Sequence, residues 1–133
     1  MSMRYLVDTD WAIHHLNGHA VITQRLQDLQ HEGLGLSVAA LAEIYEGVYY
    51  SRNPEASEQS LMAFLESVSL IDIDAKTAQI FGRERGRLRA SGMLIGDVDL
   101  FIAATALQHG VTVLTNNRRH FERIPGLSIE SAE

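Results

Sequence analysis

Asp8 and Asp10 follow directly on the apolar run Tyr5-Leu6-Val7, where a turn glycine or another apolar residue would be the ordinary choice. Glu43 lies between Leu41 and Ile44, on what should be the inward-leaning side of a helix. Asp97 and Asp99 open the apolar stretch Leu100-Phe101-Ile102-Ala103-Ala104. Each acid has an ordinary explanation taken alone. Asp8 suits a helix N-cap, Glu43 a solvated helix face, and Asp97 and Asp99 the first turn of a helix, where the dipole favours negative charge. Brought into one crevice, three or four carboxylates repel one another unless a cation is bound. Oxygen donors with water suit Mg²⁺ or Mn²⁺. The natural chemistry of such a site is hydrolysis of a phosphodiester, in which the metal activates water and neutralises charge on the phosphate. No nucleophilic side chain is needed, and the chain has no cysteine.

Whether these acids meet depends on the elements that carry them. Strand-type runs occur at residues 4–7, 33–37, 68–73 and 111–115, with a last edge strand at 127–129. Apolar spacing predicts helices over 20–30, 38–50 and 55–67, a long one from Asp74 toward Ser91, and one from Asp97 through Leu107 closed by Gly110. Ser37 and Asp74 are placed to cap the helices that follow them, and residues 92–96 read as a loop. Strands alternating with helices imply an α/β fold, a parallel sheet with helices on both faces. In such folds the ligand site lies beyond the carboxyl ends of the strands. Asp8 and Asp10 end the first strand, Ser37 the second, and Thr115 to Asn117 the strand at 111–115, so these polar residues should face one crevice.

The 133 residues are read as one domain spanning 1–133, and 46% hydrophobic with 21% charged residues is ordinary for a soluble globular protein. No signal peptide is expected, and no run approaches the roughly 20 apolar residues of a membrane span. A cytoplasmic protein is expected. The net charge of −6 argues against a nucleic-acid binder, unless the acidic excess sits where a metal neutralises it. Ten of the eleven basic residues are arginine, whose fork suits phosphate. The histidines His14, His15, His19, His31, His109 and His120 show no metal-ligand spacing and are read as surface or packing residues. Tyr45, Tyr49 and Tyr50 are read as core and interface.

At these carboxylates the sequence resembles the PIN-domain ribonucleases, specifically the VapC-type toxins of type II toxin–antitoxin pairs. The resemblance runs nearly end to end. Its blocks are Leu6-Val7-Asp8-Thr9-Asp10, Ala42-Glu43-Ile44-Tyr45-Glu46-Gly47, and Ile95 to Ala104 around Asp97-Val98-Asp99. The last is Val113-Leu114-Thr115-Asn116-Asn117, with Phe121 and the segment 123–127 beyond it. Each block is weak alone; four in order at these separations are strong. The resemblance implies a PIN-like three-layer α/β/α fold with a parallel sheet of four to five strands, and a metal-dependent endoribonuclease using Mg²⁺ or Mn²⁺. Asp8, Glu43 and Asp99 become the catalytic, metal-binding acids. Thr9 supports them, and Thr115 holds water or metal through its hydroxyl. The family's fourth acidic position falls on Asn117, a neutral departure that implies one firmly held ion, with Asp97 a candidate to supply the missing charge. Arg83, Arg85, Arg87 and Arg89 on the long helix, with Arg118 and Arg119, then read as RNA-backbone contacts, against the ordinary reading of a solvated face.

The implied partners are an RNA substrate, for which transfer RNA is one candidate, a VapB-type antitoxin and a second copy of the chain in a homodimer, with no membrane. Two other readings stand beside this one. A haloacid-dehalogenase-type phosphatase also places a D-x-D pair after its first strand, as Asp8-Thr9-Asp10 does. However, Phe101 stands where its late motif needs aspartate, and the only lysine, Lys76, precedes that motif. A catalytically inactive PIN module that binds RNA or a partner is the other, with Asn117 in its favour.

Overall fold

Strand β1 (Tyr5–Val7) occupies the centre of a five-stranded sheet, as its residues require: Leu6 and Val7 are both fully buried, so neither face of the strand meets water. Burial on both faces is characteristic of parallel sheets covered by helices on each side. The computed structural model, which describes residues 3–132, orders the strands as β3 (Ser69–Ile71), β2 (Leu34–Ser37), β1, β4 (Thr112–Leu114) and β5 (Ser128–Glu130). All four pairings are parallel, with Leu6 opposite Gly35 on one side and Val113 on the other. The chain runs outward from β1 to β2 and β3, then returns across to β4. With right-handed crossovers this places the early helices on one face and the later ones on the other. In open parallel sheets such a reversal, here at the β1/β4 boundary, is where ligands bind beyond the strand ends.

Among the described residues seven helices complete the fold: α1 (Thr9–Leu16), α2 (Ala20–Leu29), α3 (Val38–Tyr49), α4 (Pro54–Leu65), α5 (Ala75–Ala90), α6 (Asp97–His109) and α7 (Arg118–Phe121), with a 3₁₀ turn at Gln30–Glu32. Their ends follow local chemistry. The Ser37 hydroxyl accepts the Ala39 N–H to start α3, and Asp74 exchanges bonds with Thr77 in a reciprocal capping box on α5. Gly110, at φ 66°, ends α6 in the left-handed conformation that glycine adopts without penalty. Helix α6 is the buried spine of the later layer, with Leu100 and Ile102 to Ala106 all inside, and α5 packs along it through the stacked pair Phe81 and Phe101.

The parallel α/β fold expected from the alternation is the one observed. Helix α1 was not anticipated, because eight residues give little room for a period, and its apolar side is only Trp11, Ala12 and part of Leu16. It nevertheless anchors the early layer, packing against α2, α3 and α4 around a fully buried Trp11. Trp11→Ala should cost about 3–5 kcal/mol by leaving a cavity the surrounding helices cannot fill, which chemical denaturation would measure. Tyr49 and Tyr50 are not core residues: they are 62% and 88% exposed, with Tyr49 stacked on the half-buried Tyr45. No helix among the described residues is long and apolar enough to cross a membrane.

Candidate active site

The backbone of β1 carries one residue past the strand, where the Asp8 N–H still bonds to the Leu114 carbonyl at 3.0 Å. The chain then turns into α1 with Asp8 as its N-cap. One carboxylate oxygen of Asp8 accepts the Thr9 N–H at 2.8 Å, and the other accepts the Thr115 hydroxyl at 2.6 Å. Asp8 is 2% exposed. Burial, first of all, and then the negative charge of Asp10 push its carboxyl up to about 8, with Asp99 adding to the effect and the Thr115 hydroxyl opposing it. A buried acid surrounded by acids is what a bound cation would relieve.

Thr115 is the hub of this crevice. It is fully buried at the end of β4, its hydroxyl donates to Asp8, lies 3.4 Å from Asp10, and accepts the Asn117 N–H at 2.9 Å. Asp10 bridges the ends of β1 and β4 by accepting the Trp11 N–H at 2.7 Å and the Asn116 N–H at 3.0 Å. Asn116 is held in turn by the Trp11 indole N–H at 2.9 Å. On the other side, the Thr9 hydroxyl donates to Glu43 at 2.7 Å and so ties α3 to the start of α1. Asp99, in the first turn of α6, has one oxygen 3.4 Å from the Asn117 amide nitrogen and 2.9 Å from His120 Nδ1. A continuous polar chain thus runs Glu43, Thr9, Asp8, Thr115, Asn117, Asp99 and His120, drawn from four separate stretches of sequence.

The anticipated site residues divide accordingly. Asp8, Thr9, Glu43, Asp99, Thr115 and Asn117 belong to this chain. Ser37 does not, because its buried hydroxyl is used to cap α3. Asp97 is a correction: its side chain is 67% exposed and accepts from Arg85 at 3.4 Å on α5, so it neither joins Asp99 nor caps α6, whose N-cap is Gly96. Two residues apart on a helix point in nearly opposite directions. Asp97→Ala should therefore leave cleavage and metal affinity within about twofold of the parent, since an exposed pair of this kind contributes little; metal titration and RNA cleavage of the variant check this. Of the arginines, Arg83 and Arg87 clasp the buried Glu84, and Arg118 pairs with Glu122, while Arg89 and Arg119 are exposed. Asp10, expected to face the crevice, does so against Thr115 and Asn116, and His120, read from the sequence as a surface or packing residue, is the contributor that sequence reasoning passed over.

The donor set fits a divalent cation: carboxylates, hydroxyls, an amide and the His120 imidazole, with no sulfur. Among the described residues no three acids or imidazoles stand close enough to hold an ion by themselves. A small hard cation commonly takes one or two protein carboxylates and keeps several waters. 

Residues 5–127 match the family model of the PIN domain. Ribonuclease VapC2 of Rickettsia felis is 33% identical over 131 residues, which cover 97% of this chain and 98% of that protein. The tRNA(fMet)-specific endonuclease VapC of Salmonella typhimurium is 30% identical over 96% of this chain and 97% of its own length. Among solved structures, VapBC2 from Rickettsia felis bound to a promoter DNA fragment superposes with a TM-score of 0.92 at 32% identity, covering 98% of this chain and all of that one. FitAcB from Neisseria gonorrhoeae superposes with a TM-score of 0.82 at 26% identity, over 94% of this chain and 95% of that one.

Proposed function

The chain belongs to the PIN-domain family, and from that premise we propose that it is a metal-dependent endoribonuclease, the toxin of a toxin–antitoxin pair. The observation that carries this reading is the buried carboxylate of Asp8, fixed by Thr9 and Thr115 and facing the charges of Asp10 and Asp99 at the β1/β4 boundary. Asp8, Asp99 and Glu43 are the residues that would hold Mg²⁺ or Mn²⁺. The ion would supply an acidified water and neutralise charge on the scissile phosphate. The protein's own part is positioning. Thr115 fixes one oxygen of Asp8, Thr9 fixes one oxygen of Glu43, and the Asp10–Asn116–Trp11 clasp keeps the ends of β1 and β4 together. In this arrangement Asp10 has both oxygens engaged by backbone N–H groups, which leaves it poorly placed for the proton transfer that the phosphatase reading asks of it.

RNA is the substrate class, and one relative at 30% identity is named for a transfer RNA, so transfer RNA is the first candidate. Exposed Arg89 and Arg119, with Arg83, Arg85, Arg87 and Arg118, would contact the phosphate backbone. Related chains occur in VapBC complexes, and a VapB-type antitoxin is the partner proposed here. An antitoxin arginine could silence the acidic crevice by standing in for the metal. Brief expression in cells followed by sequencing of RNA 5′ ends tests the function. Discrete new ends, lost in Asp99→Asn and suppressed by the co-expressed antitoxin, are expected. Growth and RNA profiles unchanged by the active chain alone would refute the toxin reading.

A further inference from the structure

Three heteroatoms at the outer end of the crevice lie in a near-equilateral triangle. His120 Nδ1 is 2.9 Å from Asp99 Oδ2 and 3.0 Å from the terminal amide atom of Asn117, which is itself 3.4 Å from Asp99 Oδ2. Hydrogens cannot satisfy all three edges. If the Asn117 amide donates to both the ring and the carboxylate, the ring nitrogen and the carboxylate oxygen face each other with lone pairs. If the ring nitrogen carries the proton and donates to Asp99, it meets the N–H of the amide. Turning the amide over to present its oxygen gives three lone-pair donors on one small triangle. An octahedral ion with bonds of about 2.1 Å has neighbouring ligands about 3 Å apart, which is the size of this triangle.

By the resemblance the family's fourth acidic position falls on the neutral Asn117, and Asp97 faces Arg85 rather than the crevice. The nearest group to take up the role is the imidazole of His120. It is carried by α7, one turn beyond Asn117, so both side chains lie on the same side. The geometry points to His120 as a residue that would supply a nitrogen ligand, completing with Asp99 and Asn117 a three-donor set that would favour Mn²⁺ over Mg²⁺. Imidazole suits borderline transition metals, whereas Mg²⁺ is held by oxygen. This inference rests on the metal-dependent reading above but concerns which ion the crevice takes.

Pulsed EPR and calorimetry on the purified full chain, with Mn²⁺ or Mg²⁺ alone and no RNA, test it. The parent protein should show coupling of Mn²⁺ to an imidazole nitrogen, and His120→Ala should lose both the coupling and at least about tenfold in Mn²⁺ affinity, with Mg²⁺ affinity little changed. His120→Glu should recover binding while shifting preference to Mg²⁺. No nitrogen coupling in the parent, or coupling that persists in His120→Ala, overturns the assignment whatever the activity. If nitrogen-coupled Mn²⁺ is found and RNA is not cut with any ion, the ligand assignment stands and the ribonuclease reading fails.

Discussion

Asp8→Asn is expected to abolish RNA cleavage and, in the metal-free protein, to raise the melting temperature. Asp8 sits 2% exposed beside Asp10, with its carboxyl pushed up to about 8 from an ordinary value of 3.8. The native state thus holds this proton more tightly than the unfolded chain does. The associated stability is fully present below about pH 4 and is lost as the pH rises toward about 8. Near neutral pH the native state must keep Asp8 protonated while the unfolded chain is free to ionise it, which lowers the stability of the metal-free fold. Asparagine keeps the shape, can accept the Thr9 N–H, and can meet the Thr115 hydroxyl with its amide, while removing the charge. The gap in melting temperature between variant and parent should therefore widen as the pH is raised from about 4 to about 8, reaching on the order of 5 °C. Adding Mn²⁺ should stabilise the parent and leave the variant nearly unmoved. Cleavage should fall by at least about a hundredfold, the upper end of what loss of a metal-site group costs. Scanning calorimetry across pH and a gel assay of RNA read both effects. A variant that melts lower than the parent at neutral pH without metal would mean that Asp8 serves the fold rather than a cation.

Removing divalent metal should have an effect as large. Excess chelator is expected to stop cleavage, and Mg²⁺ or Mn²⁺ should restore it, whereas Ca²⁺ should occupy the site and support little turnover. A phosphodiester needs its attacking water acidified and its developing charge neutralised. Among the described residues no arginine or lysine pairs with Asp8, Asp10, Glu43 or Asp99, and Arg85 is turned to Asp97. His120 is the exception only if protonated, and it would then be held by Asp99. A small octahedral ion fills the need, and Ca²⁺, larger and more loosely coordinated, acidifies water less. Metal-free melting curves run in parallel separate loss of chemistry from loss of fold, and unchanged cleavage in excess chelator would rule the mechanism out.

Much of this site is visible in the chain before folding, for physical reasons that can be named. In a parallel sheet the functional edge is at the carboxyl ends of the strands, so an acid straight after Leu6-Val7 and a threonine straight after Val113-Leu114 must meet if β1 and β4 are neighbours, as they are. Glu43 is harder to read, since a mid-helix glutamate is ordinary and its tie to Thr9 spans 34 residues. Asp97 and Asp99 both looked like site acids, yet residues two apart on a helix cannot share a face, and only Asp99 turns inward. His120 has no histidine at ligand spacing in the sequence. Its partners come from Asn117 one turn earlier and from Asp99 on another helix, and α7, at four residues, shows no periodicity. Helix α1 escaped for the same reason, although Asp8 as its N-cap marks where it starts.

The most direct test of the central claim is cleavage of purified RNA by the purified chain, with 5′ ends mapped after incubation with Mn²⁺, with chelator, and with Asp8→Asn in place of the parent. The account predicts a small set of discrete ends with the parent and Mn²⁺, and none in either of the other two reactions. The same ends appearing with chelator or with Asp8→Asn would contradict it.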